Sequence, residues 1–196
     1  MEHLINLGIS ILGSAITMIV AYLWKFRYLV ERSDFRNQNL AEKYIIKDIG
    51  NSKKLRVYAM CGSTFSDKVN SKIAKTVLSD MELTQQYLIS DENNGKIAER
   101  NKELPKGAVD LKTRIKNSIN EFEAAKKNNS NIELRFHHDK VGLRMIFLDN
   151  YLYLSYQEKG KYGKETAIQR IPSNTPVYIT QSDIFNELWE KNKTTL

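Results

Sequence analysis

The densest cluster of side chains that could do chemistry is His137, His138, Asp139 and Lys140. It fails as a metal site, because neighbouring side chains of a strand point to opposite faces and adjacent histidines cannot reach one ion. It also lacks a distant histidine to complete a nucleophile and base pair, since the remaining one is His3. A solvated strand end is the alternative interpretation. The sequence therefore predicts no metal site and no cofactor, and His138 and Lys140 remain candidate ligand-binding groups.

The elements that position these groups follow from the hydrophobic pattern beyond Gly50. Apolar periodicity predicts six strands and three helices in the order β-α-β-α-β-β-β-β-α. The clearest helix carries apolar residues at spacings of three or four from Ala108 to Ala125. The pair Asp149 and Asn150 predicts a hairpin turn. This order is typical of an α/β or α+β sandwich with a mixed sheet.

The first part of the chain differs from the rest, because residues 4–24 contain no charged side chain. A helix of this length spans roughly 30 Å, the hydrocarbon thickness of a bilayer. A cleaved signal peptide and a buried helix of a soluble core are the alternatives. Basic residues follow the segment, which places the carboxy-terminal part in the cytoplasm. We expect a single-pass inner-membrane protein with a transmembrane helix over residues 1–27, a helical linker over 28–50 and a cytoplasmic domain over 51–196.

Small and polar residues recur on one side of the predicted transmembrane helix. In lipid such residues mark contacts between helices, so the stripe predicts self-association into a homo-oligomer. The stripe is either a packing seam in an oligomeric anchor or the lining of a pore formed by several copies. Its members are Asn6, Ser10, Gly13, Ser14 and Thr17.

Composition narrows the classes of protein. Hydrophobic residues make up 41% and charged residues 27%, with 3 Pro and 9 Gly, which excludes a disordered or collagen-like chain. The single cysteine, Cys61, excludes an internal disulfide and fits a reducing compartment. The net charge of +7 suits an anionic partner such as lipid headgroups, nucleotides or nucleic acid, although charge alone does not choose among them.

Gly142, Arg144 and Asp149, followed by the hairpin YLYLSY, resemble part of the phospholipase-D-like family. The motif of that family is His-x-Lys-x4-Asp, ending at a strand–turn–strand. Gly142 stands at the His position, Arg144 at the Lys position and Asp149 at the Asp position. The resemblance covers roughly residues 50–192 and implies a phospholipase-D-like sandwich. Because the family's histidine attacks phosphorus, Gly142 in its place implies a phosphodiester-binding scaffold without catalysis.

Behind a membrane helix, such a domain resembles the cytoplasmic sensors of prokaryotic antiviral membrane effectors. The resemblance implies an oligomeric pore or channel of an antiphage defence system, gated by a nucleotide or short oligonucleotide. Expected partners are that ligand, membrane lipid, further copies of the chain and a nucleotidyltransferase-type enzyme encoded nearby. The alternatives are a membrane-anchored phosphodiesterase or nuclease-like hydrolase using His138, and a structural anchor or protein-interaction module. The candidate ligand-binding residues are basic or aromatic: His138, Lys140, Arg144, Arg100, Lys112, Lys116 and Tyr156.

Overall fold

The computed structural model describes residues 17–20, 33–139 and 142–192. It divides the chain into residues 1–33 and residues 34–196. The strands are β1 (Ser33–Phe35), β2 (Lys54–Ala59), β3 (Thr84–Ser90), β4 (Ile132–His137), β5 (Leu143–Phe147), β6 (Tyr151–Tyr156) and β7 (Ile168–Pro172). The helices are α1 (Gln38–Ile49), α2 (Ser63–Ser66), α3 (Lys72–Ser79), α4 (Lys96–Asn101), α5 (Leu111–Lys126) and α6 (Pro176–Lys191), with a short 3-10 helix at Gly163–Glu165.

Polar residues that directly precede the longer helices fix where each begins. Asn37 accepts a hydrogen bond from the backbone N–H of Leu40 at the start of α1, at 3.2 Å. Ser71, Asp110 and Thr175 cap α3, α5 and α6 in the same way. Such a cap satisfies a backbone donor that the first helical turn leaves without a partner. The start of these helices is therefore set by local side-chain chemistry.

The strands form one mixed sheet in the order β1-β7-β6-β5-β2-β3-β4. Strands β2, β3 and β4 are parallel, whereas β5 is antiparallel to β2 and begins a run of antiparallel strands. The chain thus builds outward on one side of β2 and then returns to build on the other side. This reversal creates a crevice at the carboxyl end of β2, where open α/β sheets commonly bind ligands.

Both faces of the sheet are covered, so β2 is apolar on both sides. Val57 faces a core formed with α1, α3 and α5, to which Ile45 and Phe122 contribute. Tyr58 faces a second core that includes Phe185 of α6. The residues that α1 contributes to the first core, such as Ile45, are fully buried. Helix α1 is therefore part of the sheet domain.

No helix in residues 17–20, 33–139 or 142–192 is long and apolar enough to cross a membrane. The longest described helices, α5 and α6, have 16 residues each, whereas a span needs about 20. Of the predicted transmembrane helix, the structure describes only residues 17–20. The predicted fold class with a transmembrane helix, and the predicted single-pass inner-membrane location, are therefore wrong by this finding. What the structure shows is a mixed α/β fold with a seven-stranded sheet.

Candidate functional site

A cleft of about 870 Å³ lies at the sheet edge where β2 and β6 end and β5 begins. Its wall comes from separate parts of the chain: the first turn of α1, the segment after β2, one face of α5, and the segment between β6 and β7. Pockets that hold small-molecule ligands have volumes of roughly 300–1,000 Å³, so this cleft is large enough for one. The residues that line it are polar and cationic at the base and partly apolar at the rim.

Arg144 is the half-buried cation at the base of the cleft. Its guanidinium donates to the side-chain oxygen of Gln38 at 2.8 Å, to Ser155 Oγ at 3.2 Å and to the carbonyl of Gly163 at 3.4 Å. All of these acceptors are neutral, and no carboxylate of the described chain pairs with Arg144. Burial accordingly lowers the pKa of Arg144 to about 10. One N–H of each terminal nitrogen has no described partner, which leaves the guanidinium able to bind an anion.

Arg114 is a second cation in the cleft, on the face of α5 that turns inward. Its guanidinium donates to Ser63 Oγ at 3.3 Å and lies 5.7 Å from the ring centroid of Tyr162. Within the described ranges no acidic side chain pairs with it either. Arginine presents a planar fork of donors that matches the oxygens of a phosphate. Arg114 can therefore bind a phosphate in the same way as Arg144, but from α5 instead of β5.

Two dipeptides show that the two guanidinium groups border the same space. Ser63 contacts Arg114, while the next residue, Thr64, donates at 3.3 Å to the Gln38 oxygen that also accepts from Arg144. Likewise, Tyr162 contacts Arg114 and the next residue, Gly163, accepts from Arg144. Arg114 and Arg144 therefore border the same part of the cleft.

The rim of the cleft carries exposed apolar and aromatic side chains. Val69 is 81% exposed, Val109 60% and Tyr156 58%. Together with Tyr162 they line the cleft. Exposed apolar side chains can cover the flat face of a ligand, and aromatic rings stack well on nucleobases. The cleft thus combines an anion-binding base with a stacking rim.

Three carboxylates also line the cleft, and two of them, Asp67 and Glu42, already have partners within the protein. Asp67 accepts from the backbone N–H groups of Val69 and Asn70 at 3.1 and 3.0 Å. Desolvation raises the pKa of Asp67, but the hydrogen bonds from Asn70 and Val69 outweigh it and the net shift is downward. Glu42 lies 4.0 Å from Lys72. Glu121 is exposed on the same inward side of α5 as Arg114. These negative charges limit how many phosphates the cleft can accept.

The structure separates the predicted ligand-binding residues into three groups. Arg144, Arg100 and Tyr156 line the cleft, whereas His138, Lys112 and Lys116 are exposed and lie outside it. Lys140 falls outside the described residues.

The guanidinium of Arg100 is buried and already engaged. It pairs with Glu103 at 2.9 Å and donates to the carbonyls of Glu158 and Lys161 at 3.3 Å. Its contacts hold the segment after β6 in place, so Arg100 shapes the cleft wall without presenting a free charge. Of the predicted pore or packing residues, Thr17 is described, in the short stretch of residues 17–20. Asn6, Ser10, Gly13 and Ser14 lie outside the described residues.

The residues of the motif that carried the family resemblance are not brought together. Arg144 is near the start of β5, while Asp149 follows its end and accepts from the backbone N–H of Lys53 at 2.7 Å. Five strand residues span roughly 17 Å, so Arg144 and Asp149 cannot pair. Gly142 has open space at the position where a side chain would begin.

The described cleft shows no paired nucleophile and base and no cluster of metal ligands. Its lining contains no histidine, and Cys61 lies 3.6 Å from Ser118 Oγ rather than beside a base. His137 is fully buried near Tyr58, and its Nε2 lies 3.3 Å from the carbonyl of Ala59. The described ranges contain no cluster of metal-ligating side chains. The arrangement can bind and orient an anion, but it does not present an activated nucleophile.

Sequence reasoning missed Arg114 and Gln38. The sequence does contain a pattern that could have identified Arg114. Ser118 follows it by one turn, and Asn117 and Glu121 continue the same polar side of α5. Lys112 and Lys116 also share a helix side, but that side faces solvent. Gln38 has no such signal, since its role depends on the order of the strands.

Comparisons with known proteins give one informative result. No protein-family model and no curated protein matches the chain. Among solved structures, the chain is similar to TrmBL2, described as an archaeal chromatin protein with a novel mode of DNA binding. The TM-score is 0.51 at 16% identity, and the match covers 92% of this chain and 63% of the TrmBL2 chain. This chain therefore spans less than two thirds of the length of TrmBL2, and the likeness concerns the fold alone.

The match also corrects the class predicted from the sequence. The matched structure is that of a DNA-binding chromatin protein, not of an ion channel or a phospholipase-D-like protein. The predictions of a phospholipase-D-like fold and of a transmembrane helix are therefore wrong by this comparison and by the described helices, whereas the predicted pore or channel function stays a prediction. The chain shares its mixed α/β fold with a protein that binds DNA.

Proposed function

We propose that this domain binds a nucleotide or a short oligonucleotide in the cleft, as a regulatory ligand and not as a substrate. The observation that carries the proposal is the pair Arg114 and Arg144, which border one space and have no carboxylate partner among the described residues. A cation that is half-buried without a counter-charge destabilises the fold. Such groups cluster at functional sites, where a ligand supplies the missing charge.

The phosphate of the ligand is the group that the two arginines select. Hydrogen bonds between a guanidinium and a phosphate are charge-assisted and roughly twice as strong as bonds between neutral groups. The neutral acceptors that now contact Arg144, from Gln38, Ser155 and Gly163, are weaker partners than a phosphoryl oxygen. A phosphate between Arg114 and Arg144 would therefore gain bonds that neither guanidinium makes in the free protein.

The rim favours a nucleotide over a bare phosphate. Tyr156 and Tyr162 provide rings on which a base can stack, a contact worth about 1–3 kcal/mol for each base. Val69 and Val109 add exposed apolar surface on the same rim. A cleft of about 870 Å³ has room for more than the phosphate alone.

A DNA duplex is the competing ligand, because TrmBL2 is described as binding DNA. A duplex carries one negative charge for about every 1.7 Å of its axis, so its contact surface must be cationic over a long path. Glu42, Asp67 and Glu121 interrupt the cationic lining of the cleft. The site therefore suits a compact ligand with few phosphates.

The regulatory role is part of the proposal, because the described cleft shows no paired nucleophile and base that would make the ligand a substrate. The described cleft has no histidine, and His138 of the hydrolase alternative is exposed outside it. The predicted antiviral role, the self-association and the nucleotide-synthesising enzyme nearby stay predictions that nothing in the structure tests. What the site supports is recognition of a phosphate ester.

Calorimetric titration of the full chain tests the proposal. The probes are AMP, the 5′-phosphorylated diadenylate pApA and a short DNA duplex. Arg114→Met and Arg144→Met should each weaken pApA binding by about 10–100-fold, since each removes charge-assisted bonds worth about 1.5–3 kcal/mol. The matched controls Lys112→Met and Lys116→Met remove the same charge from the solvent side of α5, and binding should stay nearly unchanged.

Salt dependence separates the two ligand classes. A compact ligand with few phosphates should lose little affinity between low and physiological salt, whereas a duplex bound through many phosphates loses affinity steeply. Equal losses for the arginine and lysine variants would contradict the cleft as the binding site. Preference for the duplex with a steep salt slope would replace the proposal with DNA binding.

A further inference from the structure

Gln38 occupies a particular position between the cleft and the start of α1. It is the first residue of the helix, and only 8% of its surface is exposed. Its side-chain oxygen accepts from Arg144 Nη1 at 2.8 Å and from Thr64 Oγ1 at 3.3 Å. Its amide nitrogen donates to no described residue, although Gln38 lines the cleft. Because Gln38 lines the cleft, its amide group can reach a molecule bound there.

The far end of α1 is fixed to the sheet. Asp48 accepts from Arg170 Nε at 2.8 Å and from Arg170 Nη2 at 3.0 Å, and the hydroxyl of Tyr153 donates to it at 2.5 Å. Asp48 is 7% exposed, so these bonds form in a nearly dry environment. The last turn of α1 is thus held by a bidentate ion pair, whereas its first turn is held at the cleft through the neutral amide of Gln38.

A phosphate in the cleft would change the bonding of Gln38. The anion is a stronger acceptor for Arg144 than the Gln38 oxygen is, because the bond becomes charge-assisted on both sides. Turning the Gln38 amide over then points its N–H groups at the phosphate and its oxygen away from it. In this arrangement the ligand gains a hydrogen bond to α1.

The helix itself would also favour the anion. The first turn of α1 contains no acidic residue, and a negative charge near a helix N-terminus is stabilising by about 0.3–1 kcal/mol. Only Arg36 and Asn37 separate the start of α1 from β1, the three-residue strand next to β7 at the sheet edge. Stabilising the first turn of α1 would therefore also stabilise the adjacent strand β1.

We propose that Gln38 is a positioning residue that reads the phosphate of the bound ligand and transmits occupancy of the cleft to the first turn of α1 and to β1. This inference rests on the proposed function, because it needs a phosphate ester in the cleft. A ligand shifts the arrangement of this region only by the contacts that it makes in one state and not in the other. The Gln38 amide supplies such a contact.

Hydrogen-exchange mass spectrometry of the full chain, with and without pApA, tests the inference beside a calorimetric titration of the same samples. In the wild-type chain, pApA should slow exchange in peptides covering residues 33–49 by about fivefold or more, the lower range of an allosteric coupling. Peptides covering residues 127–139 serve as the internal reference. Gln38→Leu should still bind pApA through the arginines, within about tenfold of the wild type, but should lose the exchange response.

Whereas Gln38→Leu removes the polar group, Gln38→Glu places a negative charge at the same position. Its carboxylate would pair with Arg144 and occupy the place of the phosphate, so pApA binding should fall by about tenfold or more. Gln86→Glu, on β3 and outside the cleft, introduces the same charge and should leave binding unchanged. If wild-type protein binds pApA without altered exchange at residues 33–49, the coupling is refuted and the proposed function stands. If the wild-type chain does not bind pApA, AMP or duplex, both fail.

Discussion

Arg144 and Arg170 are both half-buried arginines of the sheet, and we predict that removing them changes stability in opposite directions. Arg170 forms a bidentate ion pair with Asp48, and the side chains of the two residues are 14% and 8% exposed. Arg144 is bonded only to neutral acceptors. The perturbation is the same in each case: substitution by methionine, which keeps much of the apolar length of the side chain and removes the charge.

The expected magnitudes follow from these surroundings. Burial lowers the pKa of Arg144 to about 10, and one pKa unit corresponds to about 1.4 kcal/mol, so keeping the charge there costs about 3 kcal/mol. Lost hydrogen bonds offset part of the gain, at about 1 kcal/mol or less for each bond that water can replace. Arg144→Met should therefore raise the free energy of unfolding by about 1 kcal/mol. Arg170→Met leaves Asp48 buried without its partner and should lower it by about 3 kcal/mol.

Thermal and urea unfolding at neutral pH measure both changes. In a domain of this size, about 1 kcal/mol shifts the Tm by roughly 2–4 °C, so Arg144→Met should raise the Tm slightly and Arg170→Met should lower it by roughly 6–12 °C. Glu158→Gln, which removes an exposed ion pair with Lys161, should change stability by less than about 1 kcal/mol. A loss of stability in Arg144→Met equal to that in Arg170→Met would refute the assignment of Arg144 as an uncompensated binding group.

Two further predictions concern the interior of the domain. Desolvation lowers the pKa of His137, so the neutral form is favoured in the folded state; stability should be complete above the ordinary pKa of histidine and fall as the pH drops from about 6.5. Urea unfolding at neutral and mildly acidic pH checks this, and the effect should vanish in His137→Gln but persist in His138→Gln. Gly62→Ala would place a methyl group 2.5 Å from Phe122 Cε2 and should cost about 1–3 kcal/mol, whereas Gly95→Ala, with no atom within 4 Å of the new methyl, should leave the Tm nearly unchanged.

The sequence contained the information for most elements but not for their arrangement. Strands such as β3 and β6 could be located because their apolar residues are dense and bounded by polar turns. The three-residue strand β1 was included in a predicted helix, since so short a segment has no periodicity of its own. On α1, Leu40 and Tyr44 are exposed while Ala41 is fully buried, so the apolar residues of this helix do not by themselves show which side faces the core.

The candidate site was predictable only in part for the same reason. Arg144 was found through a short motif, although Asp149 of that motif lies at the other end of β5. Arg114, Gln38 and Arg144 line one cleft only because the strand order places β5 beside β2, and no local pattern encodes that order. Lys112 and Lys116 formed an attractive pair in the sequence, but the helix presents them to solvent because its other side must bury Ile115.

The cleft is assembled from stretches that are far apart in the chain, from Gln38 in α1 to Thr166 before β7. Both arginines and the full lining of the cleft occur together only in a fragment that runs from α1 to the segment before β7. Ligand affinity should therefore require that β5 and β6 have joined the sheet. A chain truncated before β5 would lack Arg144 and should not bind the ligand. Binding to the native state alone would also raise the melting temperature as ligand is added.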